Sequence, residues 1–281
     1  MKLITVCTTE NYFSNDWKIM AELNGYDYEL IGLGMKWTGF KLLMELIRDK
    51  LRDIPTNVVV AIVDCYDLIM VRKSKELESY YRSHHPGKIV VGTEKTCKEN
   101  CHNQQICPPI DVYPNTGFLI GLAGNMLELY DYMSDFTDDQ IALNNYREHV
   151  NCSRIYLDVN SEYVLNLNPP KYKGSIKLNE LSLPGSRTLV YNGHRPFAVH
   201  IPFMYRDRGK RSNRVRTELI PNYQSPLTKL QWEHAYWRHF FKNAVTNPVF
   251  YPYWGLFAVV LILIIAIPIG VHMAKKKAMT I

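Results

Sequence analysis

Over the first 150 residues, short apolar runs alternate with longer segments that have helical spacing. The runs at 3–9 (LITVCTT), 28–34 (YELIGLG) and 88–94 (KIVVGTE) are bounded by polar stretches and predict strands. Helices are predicted at 16–23, 40–53 and 74–83. The pattern is clearest at 40–53, where Leu42, Leu43, Leu46, Ile47 and Leu51 return to one face. The run 57–64 (NVVVAIVD) is almost wholly apolar and β-branched, as a central strand buried on both faces should be. A strand at 115–123 and a helix at 125–133 follow. Such alternation predicts an α/β fold with a mainly parallel sheet covered on both faces. After Asp138 it loosens into a polar helix at 138–149 and shorter strands at 155–159, 163–167, 188–192 and 198–202.

Near the C-terminus the pattern changes altogether. No Asp, Glu, Lys or Arg lies between Lys242 and Lys275, and residues 254–273 (WGLFAVVLILIIAIPIGVHM) are 20 in number, enough to cross a hydrocarbon layer as a helix. Tyr251, Tyr253 and Trp254 stand where an interfacial aromatic belt lies, and Lys275, Lys276 and Lys277 close the far side. Pro268 would kink this helix without preventing insertion. The alternative, a buried core helix, is usually shorter. The expected division is a main domain at 1–203, a basic amphipathic connector at 204–247, a transmembrane anchor at 248–273 and a short basic tail at 274–281. Met1 runs directly into an apolar strand without the basic flank and cleavage site of a signal peptide, so the main domain is expected on the cytosolic side of a single-pass anchor.

The net charge of +6 is concentrated in Arg206, Arg208, Lys210, Arg211, Arg214 and Arg216, with Asp207 the one acid among them. This stretch reads either as a solvated run or as a contact for anionic lipid head groups, worth about 1 kcal/mol per basic residue at the surface. No nucleic-acid-binding motif accompanies it, so nucleic acid is not an expected partner. Cys97, Cys101, His102 and Cys107 are close together, but their spacing lacks the paired C-x2-C knuckles of a zinc site. A loop disulfide is expected there in an oxidising compartment and free thiols in the cytosol. The sequon Asn151-Cys152-Ser153 matters only in a secretory lumen.

The chemistry gathers at VVVAIVDCYDLIMV, where the central strand delivers Asp64 and Asp67 to its C-terminal end, the edge at which open α/β sheets bind ligands. Two carboxylates three positions apart at such an exit suit a hard divalent cation that bridges to substrate phosphates. A nucleotide-sugar donor needs that charge as its diphosphate departs. Taken alone, D-x-x-D also occurs in ordinary surface turns.

From Leu3 to about Ile201 the sequence resembles the glycosyltransferase domain of the procollagen lysyl hydroxylases and related stand-alone viral glycosyltransferases. The likeness is carried by LITVCTTEN, LIGLGMKWTGF, IVDCYD, TEKTC, PNTGFLIGLA and TDDQ, in that order. It implies an A-type glycosyltransferase domain with a Rossmann-like mixed sheet, here followed by a C-terminal transmembrane helix. The implied activity is metal-dependent transfer of a hexose from a UDP-sugar to a hydroxyl on a protein or glycan. Asp64 and Asp67 would ligate manganese, Tyr66 would pack on the base, and Thr8, Trp37 and Lys41 would lie by the nucleotide and its phosphates. Asp138 and Asp139 would sit beneath the sugar, where they could also cap the following helix, and Asn115 would hydrogen-bond the donor sugar or the acceptor.

The family's third ligand is a histidine in a P-x-V-V-H-G-N-G segment. RPFAVHIPF puts His200 there, the preferred register, while YNGHRP offers Asn192 or His194. Ile201, Pro202 and Phe203 replace the glycine-asparagine-glycine turn. That departure keeps a second reading open, a catalytically inactive transferase fold serving as a membrane-anchored sugar-binding or assembly protein. A metal-dependent phosphohydrolase would use the same aspartates but leaves Trp37, NTGF and DDQ without a role.

Overall fold

The computed structural model describes residues 1–94, 112–167 and 189–201 together with Arg216 and Leu219, all within the compact unit Met1–Pro226. The cysteine loop with Cys97, Cys101, His102 and Cys107, most of the connector, the expected anchor and the tail lie outside the described residues. Among the described residues no helix is long and apolar enough to cross a membrane.

The chain opens with β1 (Lys2–Val6), α1 (Tyr12–Leu23), β2 (Asp27–Ile31), α2 (Phe40–Arg52) and β3 (Val59–Val63). Then come β4 (Leu68–Met70), α3 (Ser74–His84), β5 (Ile89–Glu94), β6 (Tyr113–Leu122), α4 (Ala123–Met133) and α5 (Asp139–His149), followed by β7 (Ile155–Leu157), β8 (Val164–Asn166) and β9 (Ala198–His200). Six strands form one sheet in the order β2-β1-β3-β6-β5-β7, and a smaller sheet runs β4-β9-β8.

Side chains alternate across the large sheet and sort the core into two layers. Ile4, Val6, Val60, Ile62, Ile89, Val91 and Leu119 face Met44, Ile47 and Leu51 of α2 and the buried faces of α4 and α5. Their neighbours Leu3, Val59, Ala61, Val63, Val90, Phe118 and Ile120 face Trp17 and Ala21 of α1 and Leu77 and Tyr81 of α3. Every residue of β3 is buried, because this strand has helices on both sides and strands on both edges, as its unbroken apolar run required.

The sheet is mixed where the alternation pointed to a mainly parallel one. β1 runs parallel to β2 and β3, and β5 to β7, but β6 is antiparallel to both β3 and β5. An antiparallel neighbour needs no helical crossover, and no helix-like spacing separates β5 from β6 in the sequence. The short β4 follows Asp67 directly and was hidden in the apolar tail of the aspartate motif. The strand expected at 188–192 amounts, among its described residues, to a bridge between Tyr191 and His194 across a turn in which Asn192 (φ 48°) and Gly193 (φ 79°) take left-handed conformations.

Candidate functional site

Asp64 and Asp67 leave the C-terminal end of β3, and His200 ends β9 beside them. The register Leu68↔His200 places the histidine opposite the residue after Asp67. Nε2 of His200 lies 3.2 Å from an Asp64 oxygen and 3.6 Å from one of Asp67. A ligand atom from each of the three falls within 4.8 Å of the others, the one cluster of this kind found among the described residues.

The imidazole is fixed from behind. Its Nδ1 is 2.6 Å from Oδ1 of Asn166 on β8, and the Asn166 amide donates to the carbonyl of Thr93 at 2.7 Å. The amide is thereby oriented with its oxygen toward the ring, so Nδ1 carries a proton and Nε2 is the nitrogen turned to the carboxylates. Nε2 is buried and has no hydrogen bond of good geometry, while the side chains of Asp64 and Asp67 are 41% and 19% exposed. Burial disfavours the charged ring, but Asp64 and Asp67 outweigh it and raise its pKa from 6.5 to about 10. One nitrogen and two carboxylate oxygens converging with one side open form a donor set suited to a divalent cation.

Neighbouring strands shape the site further. Between β5 and β6 the register slips at Val91/Gly92, leaving Thr116, Gly117 and Phe118 without partners on β5. At this bulge Gly117 accepts from the Asp64 amide at 3.1 Å. A Cβ on Gly117 would meet Cε1 of His200 at 2.2 Å, so only glycine lets the ring reach the carboxylates. Asn115, expected at the sugar, uses its side-chain oxygen to accept from the Gly117 amide at 3.0 Å. Asp67 accepts through its backbone carbonyl from the Ile201 amide at 2.7 Å.

Asp138 caps α5, accepting from the amides of Gln140 and Ile141. Asp139 is buried. Gln140 anchors the helix start, donating to Glu94 at 2.5 Å and to the Pro114 carbonyl at 2.9 Å. Glu94 ends β5 and Pro114 lies at the start of the antiparallel β6, so the start of α5 sits at the end of the sheet from which Asp64 leaves β3.

On the opposite flank, Thr8, Thr9, Glu10, Leu33, Gly34, Met35 and Lys36 line a cleft of about 720 Å³ at the ends of β1 and β2. The Tyr66 hydroxyl donates to the Thr9 carbonyl at 3.0 Å and accepts from its amide at 3.1 Å, joining this cleft to the Asp64–Asp67 turn. Trp37, 45% exposed, stands edge-on to Phe40 with ring centres 5.8 Å apart. Lys41 is exposed on the first turn of α2. Neither Trp37 nor Lys41 lines the cleft itself.

Of the alternative histidine register, Asn192 is a turn residue and His194 faces Glu162 at 3.9 Å, so the structure brings His200 and not His194 to the aspartates. Asn166 was not singled out from the sequence, and Gly117, Glu94 and Gln140 stood there only inside the motifs PNTGFLIGLA, TEKTC and TDDQ, with no role of their own. A polar residue inside the apolar run YVLNL was the available signal for Asn166. Cys7 and Cys65 are free and buried, whereas Cys152 is disulfide-bonded, to a partner outside the described residues.

A family model of the PLOD GT domain matches residues 1–200. Among solved structures, a glycosyltransferase involved in the glycosylation of the major capsid of PBCV-1 is similar over 77% of this chain and 98% of its own, with a TM-score of 0.49 at 11% identity. No curated protein matches the chain.

Proposed function

The chain belongs to the PLOD GT-domain family of glycosyltransferases, and on that premise we propose that it moves a hexose from a UDP-sugar to a hydroxyl of a protein or glycan with the help of a divalent cation, manganese in our reading. The observation that carries this is the convergence of Asp64, Asp67 and an oriented His200 whose Nε2 is turned to both carboxylates. Asp64 and Asp67 would hold the cation through carboxylate oxygens and His200 through Nε2. When bound, the cation supplies positive charge where the leaving diphosphate becomes more negative.

The remaining residues divide the other tasks. The start of α2 has no capping side chain and no acid in its first turn, so its free amides and Lys41 favour an anion such as the donor phosphates. The exposed Trp37 would offer its ring to the uracil, and Thr8 a hydroxyl within the cleft. Tyr66, whose hydroxyl is held by Thr9, sets the wall between nucleotide and metal. Asp139, with Asp138 beside it, would take the acceptor's proton or stabilise positive charge at the anomeric carbon. Asn115, its oxygen engaged by Gly117, keeps its amide NH2 for a sugar hydroxyl.

A second reading, a sugar-binding or assembly protein without turnover, rests on the segment after His200. The Ile201 amide is committed to Asp67 and its side chain is buried, so this position does not offer the donor phosphates what a glycine turn would. For both readings we place a membrane anchor at 248–273, with lipid head groups as neighbours of the connector. The cytosolic placement expected from the sequence competes with the disulfide at Cys152, which persists in oxidising compartments. In sealed microsomes, digestion of the domain by added protease together with an unmodified Asn151 supports the cytosolic side. Protection with a glycan on Asn151 excludes it.

The metal is tested by calorimetry of UDP binding with and without manganese. Wild-type protein should bind UDP in a manganese-dependent way, and Asp64→Ala and Asp67→Ala should lose that dependence while remaining folded. Undiminished manganese-dependent binding in both variants would remove the aspartates from the site.

A further inference from the structure

Arg216 belongs to the basic run that the sequence presents as solvated or lipid-facing, and it lies beyond residue 200, where the family match ends. Yet it is only 1% exposed. Its guanidinium donates to Oδ2 of Asp16 at 2.5 Å and to the backbone carbonyl of Tyr66 at 3.2 Å, and sits 4.8 Å from the ring centre of Phe13. Asp16 and Phe13 are on α1, and Tyr66 is in the turn between Asp64 and Asp67. One buried cation therefore ties the first helix to the middle of the metal-binding turn.

Leu219, three positions on, is also in helical conformation and 1% exposed. It packs in a cluster with Leu165, Leu167, Val199 and Ile201. Those residues flank Asn166 and His200, the metal-site histidine and the amide that orients it. Two buried side chains beyond the family match thus back both halves of the site.

We propose that Arg216 and Leu219 brace the metal site from behind, with Arg216 as a positioning residue that holds the Asp64–Asp67 turn through the Tyr66 carbonyl. The proposal rests on the metal reading above. A cation needs both carboxylates turned to one point. A turn fixed in advance spares the cation the cost of gathering them, whereas a loose turn weakens binding.

The test measures manganese affinity of the full chain by the electron paramagnetic resonance of free manganese, with circular dichroism confirming the fold at the same temperature. Arg216→Met should weaken affinity about 10-fold or more, the range for losing a group that orients metal ligands. Because Met strands the Asp16 carboxylate, the double variant Asp16→Asn with Arg216→Met is measured beside it. It removes both charges, and its affinity should stay low because nothing donates to the Tyr66 carbonyl. Arg216→Lys, which keeps the charge without the planar fork, should fall between and carries the test if the neutral variants do not fold. Wild-type affinity in the folded double variant, or in Arg216→Lys when it alone folds, overturns the brace. Absence of manganese binding by the wild-type chain overturns the brace together with the metal reading, and is distinguished by appearing before any substitution is made.

Discussion

At the scale of single residues, the site depends on how one imidazole is held. Asn166 keeps the Nδ1 proton in place whether Nε2 faces a proton or a metal ion, so the two compete for the same nitrogen. With the metal-free pKa raised from 6.5 to about 10, His200 is protonated across neutral pH. A cation must then displace one proton, and its affinity should rise about tenfold per pH unit between roughly pH 6.5 and 9. The same shift fixes the stability of the metal-free protein. The folded state binds the proton more tightly than the unfolded chain, so the contribution is complete below about pH 6.5 and is lost as pH rises through about 10. Manganese titrations at a series of pH values check the slope, and a flat profile would show that His200 is not the competing group. Asp64, Asp67 and His200 were legible in the sequence because strand ends and a known motif order marked them. Gly117 was not, since its necessity is a close approach by a ring 83 positions away in the chain, which no local pattern records.

At the scale of elements, the start of α5 carries one acid that caps the helix and a second to which the proposed chemistry would fall. Asp138 satisfies the amides of Gln140 and Ile141, the ordinary task of an N-cap, and its replacement by Ala should cost about 1 kcal/mol. Asp139 is buried at the end of the sheet from which Asp64 leaves β3, and in the proposed reaction it would be the proton acceptor. Asp139→Asn should lower turnover about 100-fold or more with a melting temperature close to wild type, whereas Asp138→Ala should lower the melting temperature first. Equal turnover in wild type and Asp139→Asn, with donor at saturation, would take the acid–base role from this residue. The apolar periodicities located most helices and strands to within a few residues. They missed β4, because three apolar residues after Asp67 look like the continuation of a loop motif. They also could not reveal the direction of β6, because alternation in one strand carries no information about its neighbour's polarity.

At the scale of the molecule, the mixed sheet brings to one edge groups that the sequence spreads from Thr8 to His200. β3 supplies the two aspartates, the bulge in β6 opens space for the histidine, and the small sheet delivers that histidine from the far end of the domain. The alternation of apolar runs made an α/β domain legible and the resemblance a transferase, but neither showed the burial of Arg216, since six clustered cations read as facing solvent or lipid until the fold pairs one of them with Asp16. The central claim, sugar transfer with a nucleotide leaving group, is tested most directly by measuring release of nucleoside diphosphate from a panel of nucleotide sugars by the full chain, with manganese and with a chelator. The account predicts manganese-dependent UDP release from at least one UDP-hexose, abolished by Asp64→Ala. UDP-hexose binding without release under every condition, with or without added hydroxyl acceptors, would contradict it.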